Sequence, residues 1–218
     1  MVALVALVCS VGNASAQYSS GGFSLDKESL YWGARFGFTA ATLSGDLDMG
    51  AKVGLTLAGI VGLRVSDTNP VFVESGLYYT ERGGKDGSFT AGPNGTGTVD
   101  RVGYNCLEIP IVVKYGFKVA DGVAILPYLG PYFSYAISGK TKQSATEGVS
   151  GKVGTFEEKE ALTGGLNRAN MGIKLGAGIE YNKLYLELGY QIGITNICKY
   201  DDYSGRSNAF TCNFGVNF

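Results

Sequence analysis

Apolar and polar residues alternate along most of the chain with a period of two, which is the pattern of half-buried β-strands. Almost no stretch has the spacing of an amphipathic helix. The alternation divides into eight segments, at residues 31–42, 51–65, 70–82, 101–118, 123–138, 167–181, 183–197 and 207–218. The pattern therefore predicts an all-β protein made of eight consecutive strands.

The connections between these segments alternate in length. Tight links lie at 66–69, at 119–122 and around Asn182, whereas the others are longer, polar and mostly rich in glycine: 43–50, 83–100, 139–166 and 198–206. An even number of hairpin strands, with short turns at one end and long loops at the other, is typical of outer-membrane barrels. We predict an eight-stranded antiparallel up-and-down transmembrane β-barrel with both termini at the periplasmic end.

Each strand has two chemically distinct faces. In 183–197, one face is apolar, and the other carries Gly189 and Gly193 between single polar residues such as Glu187. The apolar faces continue for about 9–11 residues, which is what a tilted strand needs to cross hydrocarbon. A water-facing surface would carry many more charges, so we expect the glycine-rich face to point into a crowded lumen.

Aromatic residues gather at both ends of the apolar faces, as expected for the two girdles of a membrane barrel. The predicted turn-end girdle comprises Trp32, Tyr115, Phe117, Tyr181 and Phe218, and the predicted loop-end girdle comprises Tyr79, Phe133, Tyr135, Tyr190 and Phe210. A soluble ligand-binding barrel with its apolar face inward is the alternative that these girdles disfavour.

The first residues are typical of an export signal. An apolar run from Val2 to Val11 precedes Ala14-Ser15-Ala16, which fits the small-x-small cleavage pattern. The chain is therefore expected to divide into a signal peptide at 1–16, a periplasmic N-terminal segment at 17–30 and the barrel domain at 31–218. A short buried strand or helix is the alternative interpretation of the apolar run.

The amino-acid composition argues against several classes of function. The 218 residues include 34 Gly and no His, and the net charge is −1. A nucleic-acid binder should show a clustered basic excess, so that class is disfavoured. Because the chain has no His, it cannot form a Ser-His-Asp triad or a zinc site with a His ligand. We expect no catalytic, cofactor or metal site.

Eight charged side chains have the parity of the lumen face: Arg35, Arg64, Lys114 and Lys174 against Glu74, Glu108, Glu180 and Glu187. Unpaired charges in a narrow interior would be costly, so we predict an interlocking network of ion pairs. The favoured role is a structural plug, because eight strands leave an interior that side chains fill. A proton or ion path, or an acid/base site, is the alternative.

Two smaller groups of residues have competing interpretations. Glu74 and Glu108 resemble a pair of glycosidase carboxylates, but their basic neighbours favour a structural role. Cys198 and Cys212 flank the last loop and could form a disulfide if the hairpin were centred on Gly205, but not if it were centred near Asp201. Cys106 is expected to be a small buried filler.

Five phrases of the sequence begin at Glu74 (ESGLYYTERGG), Leu107 (LEIPIVVKY), Leu126 (LPYLGPY), Gly172 (GIKLGAGIE) and Leu184 (LYLELGY). In this order they resemble the PorT-like "porin family" outer-membrane β-barrel domain of Gram-negative bacteria. The resemblance implies an eight-stranded barrel whose terminal Phe218 is read by the outer-membrane assembly machinery. It implies no reaction, and one branch of the family is associated with secretion and gliding machinery.

We expect a monomeric, non-enzymatic barrel in the lipid of the cell outer membrane, with a packed lumen and a structural, binding or docking role. Its extracellular loops would meet an unidentified surface or secretion partner, because binding residues concentrate on loops above rigid scaffolds. A merely hydrated cap is an equal alternative for the loops. A narrow channel for small solutes and, less favoured, an enzyme are the rival classes.

Overall fold

The computed structural model describes residues 30–45, 49–66, 68–90, 96–145, 157–160, 166–198 and 204–218. Ten strands occupy them: β1 (Leu30–Gly45), β2 (Met49–Arg64), β3 (Val71–Thr90), β4 (Thr96–Tyr115), β5 (Phe117–Ala120), β6 (Val123–Ala145), β7 (Glu157–Glu160), β8 (Ala169–Tyr181), β9 (Leu184–Gly193) and β10 (Gly205–Asn217). The predicted signal peptide at 1–16, and the segment 17–30 apart from Leu30, lie outside the described residues.

Eight long antiparallel strands form a closed barrel. They follow one another around the wall in the order β1, β2, β3, β4, β6, β8, β9 and β10, and β10 pairs with β1 to complete the ring. The short strands β5 and β7 only extend the pairing of β6. Among the described residues, no helix is long and apolar enough to cross a membrane. The predicted eight-stranded fold is confirmed.

The apolar face of the wall points outward. Leu57 is 59% exposed and Trp32 is 57% exposed, while Glu187 on the other face is 1% exposed. Outer aromatic residues also contact one another at the turn end, where the rings of Trp32 and Phe218 stack with centroids 4.6 Å apart. Such an inside-out distribution is stable only where hydrocarbon, not water, surrounds the wall.

Tight turns close the turn end of the barrel, where the sequence predicts the periplasmic side. The β8–β9 hairpin turns at Asn182, whose φ of 56° lies in the left-handed region that Asn tolerates better than most residues. The β5–β6 hairpin turns through Gly122 with a φ of 75°. These two residues sit where the sequence predicts short links, at 119–122 and around Asn182.

The strands continue further at the opposite end than the sequence predicts. Residues 83–90 and 96–100 belong to β3 and β4, and residues 139–145 belong to β6, although both regions were expected to be loops. Periodicity did not predict these extensions, because their polar and glycine-rich residues show no apolar alternation. The two long connections therefore consist in part of paired strands, and we call these paired parts the raised hairpins.

Candidate functional site

The candidate site is the barrel interior, where inward parity brings charged side chains from β1, β3, β4, β8 and β9 together. We define three groups within it: the lower group (Arg35, Glu74 and Lys114), the middle pair (Lys174 and Glu187) and the upper pair (Arg82 and Glu108). All seven side chains are buried, with exposures of 2% or less.

The lower group shares one carboxylate. Lys114 Nζ lies 2.8 Å from Glu74 Oε1, and Arg35 Nη2 lies 3.8 Å from Glu74 Oε2. Tyr31 donates its hydroxyl proton to the same Oε2 at 2.8 Å, while Arg35 Nη2 donates to Asn217 Oδ1 at 2.5 Å. Two cations and a phenol therefore fix the position of the Glu74 carboxylate.

The middle pair is built around Glu187 Oε1. Lys174 Nζ lies 3.0 Å from this oxygen, and Tyr128 donates to it at 3.1 Å. Asn213 Nδ2 donates to the same atom at 3.2 Å, which connects β10 to the pair. Four strands thereby converge on one carboxylate.

The upper pair joins opposite walls. Arg82 Nη2 lies 2.5 Å from Glu108 Oε2, and Gln191 Nε2 donates to Glu108 Oε1 at 2.5 Å. Arg82 Nη2 also donates to Gln191 Oε1, so the three side chains close a ring across the lumen from β3 and β4 to β9. Burial of these charges is tolerable because each has an ionic or hydrogen-bonded partner.

Tyrosine rings line the cations. The guanidinium carbon of Arg35 lies 4.1 Å from the ring centroid of Tyr185, and Lys114 Nζ lies 4.5 Å from the same centroid. Lys174 Nζ lies 4.5 Å from the ring centroid of Tyr78. In a site closed to water, such contacts compensate part of the hydration that each cation loses.

Glycines on the inner face make room for these rings. A Cβ added to Gly62 would collide with the ring of Tyr31, and one added to Gly178 would collide with the phenol of Tyr185. At these two positions, the inner glycine accommodates a tyrosine ring. The close contact of ring and backbone fixes each tyrosine beside its ionic partner.

Apolar clusters lie at both ends of the charged interior. The turn-end cluster contains Tyr31, Ile60, Phe72, Tyr78, Ala124, Leu126 and Tyr185. The loop-end cluster contains Leu43, Met49, Val102, Tyr104, Ala136 and Ile197, with Leu166 packed against it. A cavity beside the loop-end cluster has a volume of about 10 Å³, enough for about one water molecule. This packing is better suited to holding the strands of the wall together than to letting solutes pass through the lumen.

The structure brings together seven of the eight charged residues that the sequence places in the lumen. Glu180 is buried near the lower group and accepts a hydrogen bond from Asn217 Nδ2 at 3.0 Å. Arg64 instead lies half-buried at the turn end of β2, where its Nε donates to the Ser66 carbonyl at 2.8 Å. Glu74 and Glu108 contact different cations, as in the structural interpretation of the pair.

Arg82 was missed because the predicted strand ended on it. It has the same even parity as Glu74 on β3, and this signal would have placed it in the lumen. Inward tyrosines such as Tyr128 and Tyr132 were missed too, because aromatic residues were assigned to the outer girdles. Their parity with Leu126 and Ser134 on β6 shows that they face inward.

The β9–β10 register distinguishes the two hairpins considered for Cys198 and Cys212. Cys212 lies in the middle of β10 opposite Leu188, whereas Cys198 lies at the loop end and bridges Leu166. No disulfide joins Cys198 to Cys212, because the β9–β10 register is not the one centred on Gly205. Cys106 is buried in the lumen, where its thiol lies 3.4 Å from the Thr80 carbonyl oxygen.

Comparison with known proteins places this architecture in a family. No curated protein matches the sequence. Solved structures similar to the chain include the attachment invasion locus protein Ail of Yersinia pestis, with 14% identity and a TM-score of 0.41 over 88% of this chain and 100% of that chain. Neisserial surface protein A has 17% identity and a TM-score of 0.43 over 88% and 98% of the two chains.

The N-terminal β-barrel domain of Pseudomonas aeruginosa OprF has 9% identity and a TM-score of 0.38 over 88% of this chain and 98% of that chain. These likenesses concern the barrel fold. The family model of the outer membrane protein beta-barrel domain, in contrast, matches residues 15–199, which is most of the chain. The chain therefore belongs to the outer membrane protein beta-barrel domain family.

Proposed function

We propose that this protein is a non-enzymatic, non-conducting barrel of the outer membrane that serves a structural and docking role. The observation that carries the proposal is the filled interior. Three ionic groups occupy the lumen between two apolar clusters, and the cavity beside the loop-end cluster holds about one water. A solute path would need a continuous wet route that these side chains occupy.

The raised hairpins supply the docking surface. β3 pairs with β4 as far as Thr90 opposite Thr96, and β6 continues to Ala145 while pairing with β4 and β7. A paired backbone is already ordered, so a partner that binds there pays less conformational entropy than one that binds a loose loop. These features support docking of a surface or secretion partner. Such a partner could belong to the secretion machinery with which one branch of the PorT-like family is associated.

The membrane and its machinery complete the proposal. The outward apolar face is suited to outer-membrane lipid, and the stacked Trp32–Phe218 pair gives the last residue a fixed aromatic position at the turn end. We take Phe218 as the residue that the assembly machinery reads, and the closed ring of eight strands leaves no edge that requires a second copy.

Two measurements on one variant test this proposal. Because Lys85 pairs with Arg101, residues 86–100 can be replaced by Asn-Gly, which forms a two-residue hairpin turn. We expect planar bilayers to show no stable open channel for either the natural protein or this variant. Crosslinking on intact cells should join a partner to the natural protein but not to the shortened one.

An open porin in the same bilayer preparation serves as the positive control for conductance. Large, stable channels from the natural protein would overturn the sealed-barrel proposal. Equal crosslinking by the shortened and natural proteins would overturn docking on the β3–β4 hairpin. The two failures are independent, since one concerns the lumen and the other the raised hairpin.

A further inference from the structure

Basic side chains gather on the outer wall just above its apolar band. On β4 the apolar face ends at Leu107, and Asn105 is the next outward residue. Arg101 lies four residues beyond Asn105, which corresponds to roughly 9 Å of height on a strand tilted by about 45°. Lys85 of β3 is directly opposite Arg101, and both side chains are exposed.

A third cation joins them through a break in the wall. The β2–β3 pairing shifts between Ala51 and Thr56, and Lys52 extends from this break toward β4. Its Nζ donates to the Arg82 carbonyl at 3.3 Å, and a Cβ added to Gly103 would lie 3.2 Å from its Cε. Lys52 thus lies over Gly103, two residues from Arg101 on the same strand.

Glu81 is a nearby acid, and its charge attracts Lys52. It lies between β2 and β3, where its Oε2 also accepts the Leu55 amide proton at 3.2 Å, and the three cations outnumber it. The backbone register of β7 places Glu160 opposite Lys140 and Glu158 opposite Lys142, further around the wall. Among the described side chains, Lys52, Lys85 and Arg101 therefore form a cationic cradle, with Gly103 as its floor.

Such a cradle has an energetic cost without an anion. Like charges directly opposite on neighbouring strands destabilise a sheet, and Lys85 and Arg101 are such a pair. A phosphate group between them would turn this repulsion into charge-assisted hydrogen bonds. The cradle begins at the edge of the apolar band, since Val53 beside Lys52 is an exposed apolar residue of the outer wall, and the headgroups of membrane lipids lie at this edge.

We propose that Lys52, Lys85 and Arg101 bind the phosphate of an outer-leaflet lipid headgroup. The lipid's acyl chains would run down the adjoining apolar wall, and the phosphate would rest over Gly103. This binding site is separate from the lumen and from the hairpin tip beyond Lys85. The lipid-site proposal can therefore be tested independently of the proposals on conductance and on docking.

Native mass spectrometry of the refolded protein in detergent tests the site. The probes are lipid A with both phosphates, lipid A stripped of phosphate, and inorganic phosphate. We expect phosphorylated lipid A to bind and the stripped form to bind far more weakly. In the variant K52Q/K85Q/R101Q, affinity for phosphorylated lipid A should fall on the order of 100-fold.

The matched control is K118Q/R168Q/R206Q, which removes three exposed cations elsewhere on the barrel. It should bind phosphorylated lipid A like the natural protein, and heat-dependent mobility on gels should show that both variants are folded. The proposal is overturned if the cradle variant keeps its affinity or if the control loses as much. If equimolar inorganic phosphate displaced bound lipid A, the ligand of the site would be free phosphate and not a lipid headgroup, which would overturn the proposal.

Discussion

The two faces of one strand obey opposite rules in this barrel. On β8, Ile173 and Leu175 point outward, and lipid can fill any space beside them. Lys174 and Gly176 point inward, where Lys174 has Glu187 as its ion-pair partner and Gly176 leaves room for Tyr128. The outer face therefore needs only apolar side chains, whereas each inner position needs a side chain of a particular size and charge.

The largest effect is expected from breaking one ion pair on the inner face. Glu108→Leu would leave Arg82 buried without its carboxylate, and the free energy of unfolding should fall by about 3–5 kcal/mol. Urea unfolding of the protein in vesicles, followed by the fluorescence of Trp32, the single tryptophan, measures this change.

The double variant Arg82→Met/Glu108→Leu is the control, and it should recover most of the lost stability because neither charge remains. If the single and double variants were equally unstable, packing volume rather than charge would dominate at this level of the lumen.

A smaller loss is expected from placing a charge on the outer face. Leu175→Arg puts a cation near the middle of the apolar band, and the cost should be about 2–4 kcal/mol in the same unfolding assay. Met171→Arg on the same strand lies near the loop end, where the cost should be about 0–1 kcal/mol. Equal costs at both positions would argue against a membrane around this wall.

The smallest change in stability is expected from replacing glycines of β2 with alanine, and two such positions can be compared. Gly62→Ala would push the ring of Tyr31 away from Glu74, and it should cost about 1–3 kcal/mol. Gly59 points outward, and a Cβ there meets nothing within 4 Å, so Gly59→Ala should change stability by less than about 0.5 kcal/mol. A similar loss for both would mean that backbone flexibility, not the ring, explains the inner glycines.

Parity predicts much of this molecule, because a closed barrel turns alternate residues to opposite environments. It assigns Glu74, Lys114 and Lys174 to the interior, where they are found. It does not predict partners, since Gln191 reaches Arg82 only through the curvature of the closed wall. Arg64 shows a related limit, because parity gives the face of a residue and not its height along the barrel axis.

Hairpin register was beyond prediction for a different reason. Cys212 faces outward as its parity requires, but the level at which it pairs depends on the length of a polar loop. The raised parts of β3, β4 and β6 were not predicted because apolar alternation does not continue into residues 83–100 and 139–145. Sequence patterning is therefore informative only where the chain separates lipid from the interior.

The bonds that cross the lumen have a consequence for how the barrel enters a membrane. Arg82 of β3 bonds to Gln191 of β9, and Lys114 of β4 bonds to Tyr185 of β9 at 2.8 Å, although neither pair of strands is adjacent. In an open, half-curled sheet these cations would face hydrocarbon without those partners. The ion pairs between neighbouring strands, such as Arg82–Glu108 and Lys174–Glu187, can form in an open sheet, but the bonds across the lumen need a closed ring. Insertion and ring closure are therefore expected to proceed together.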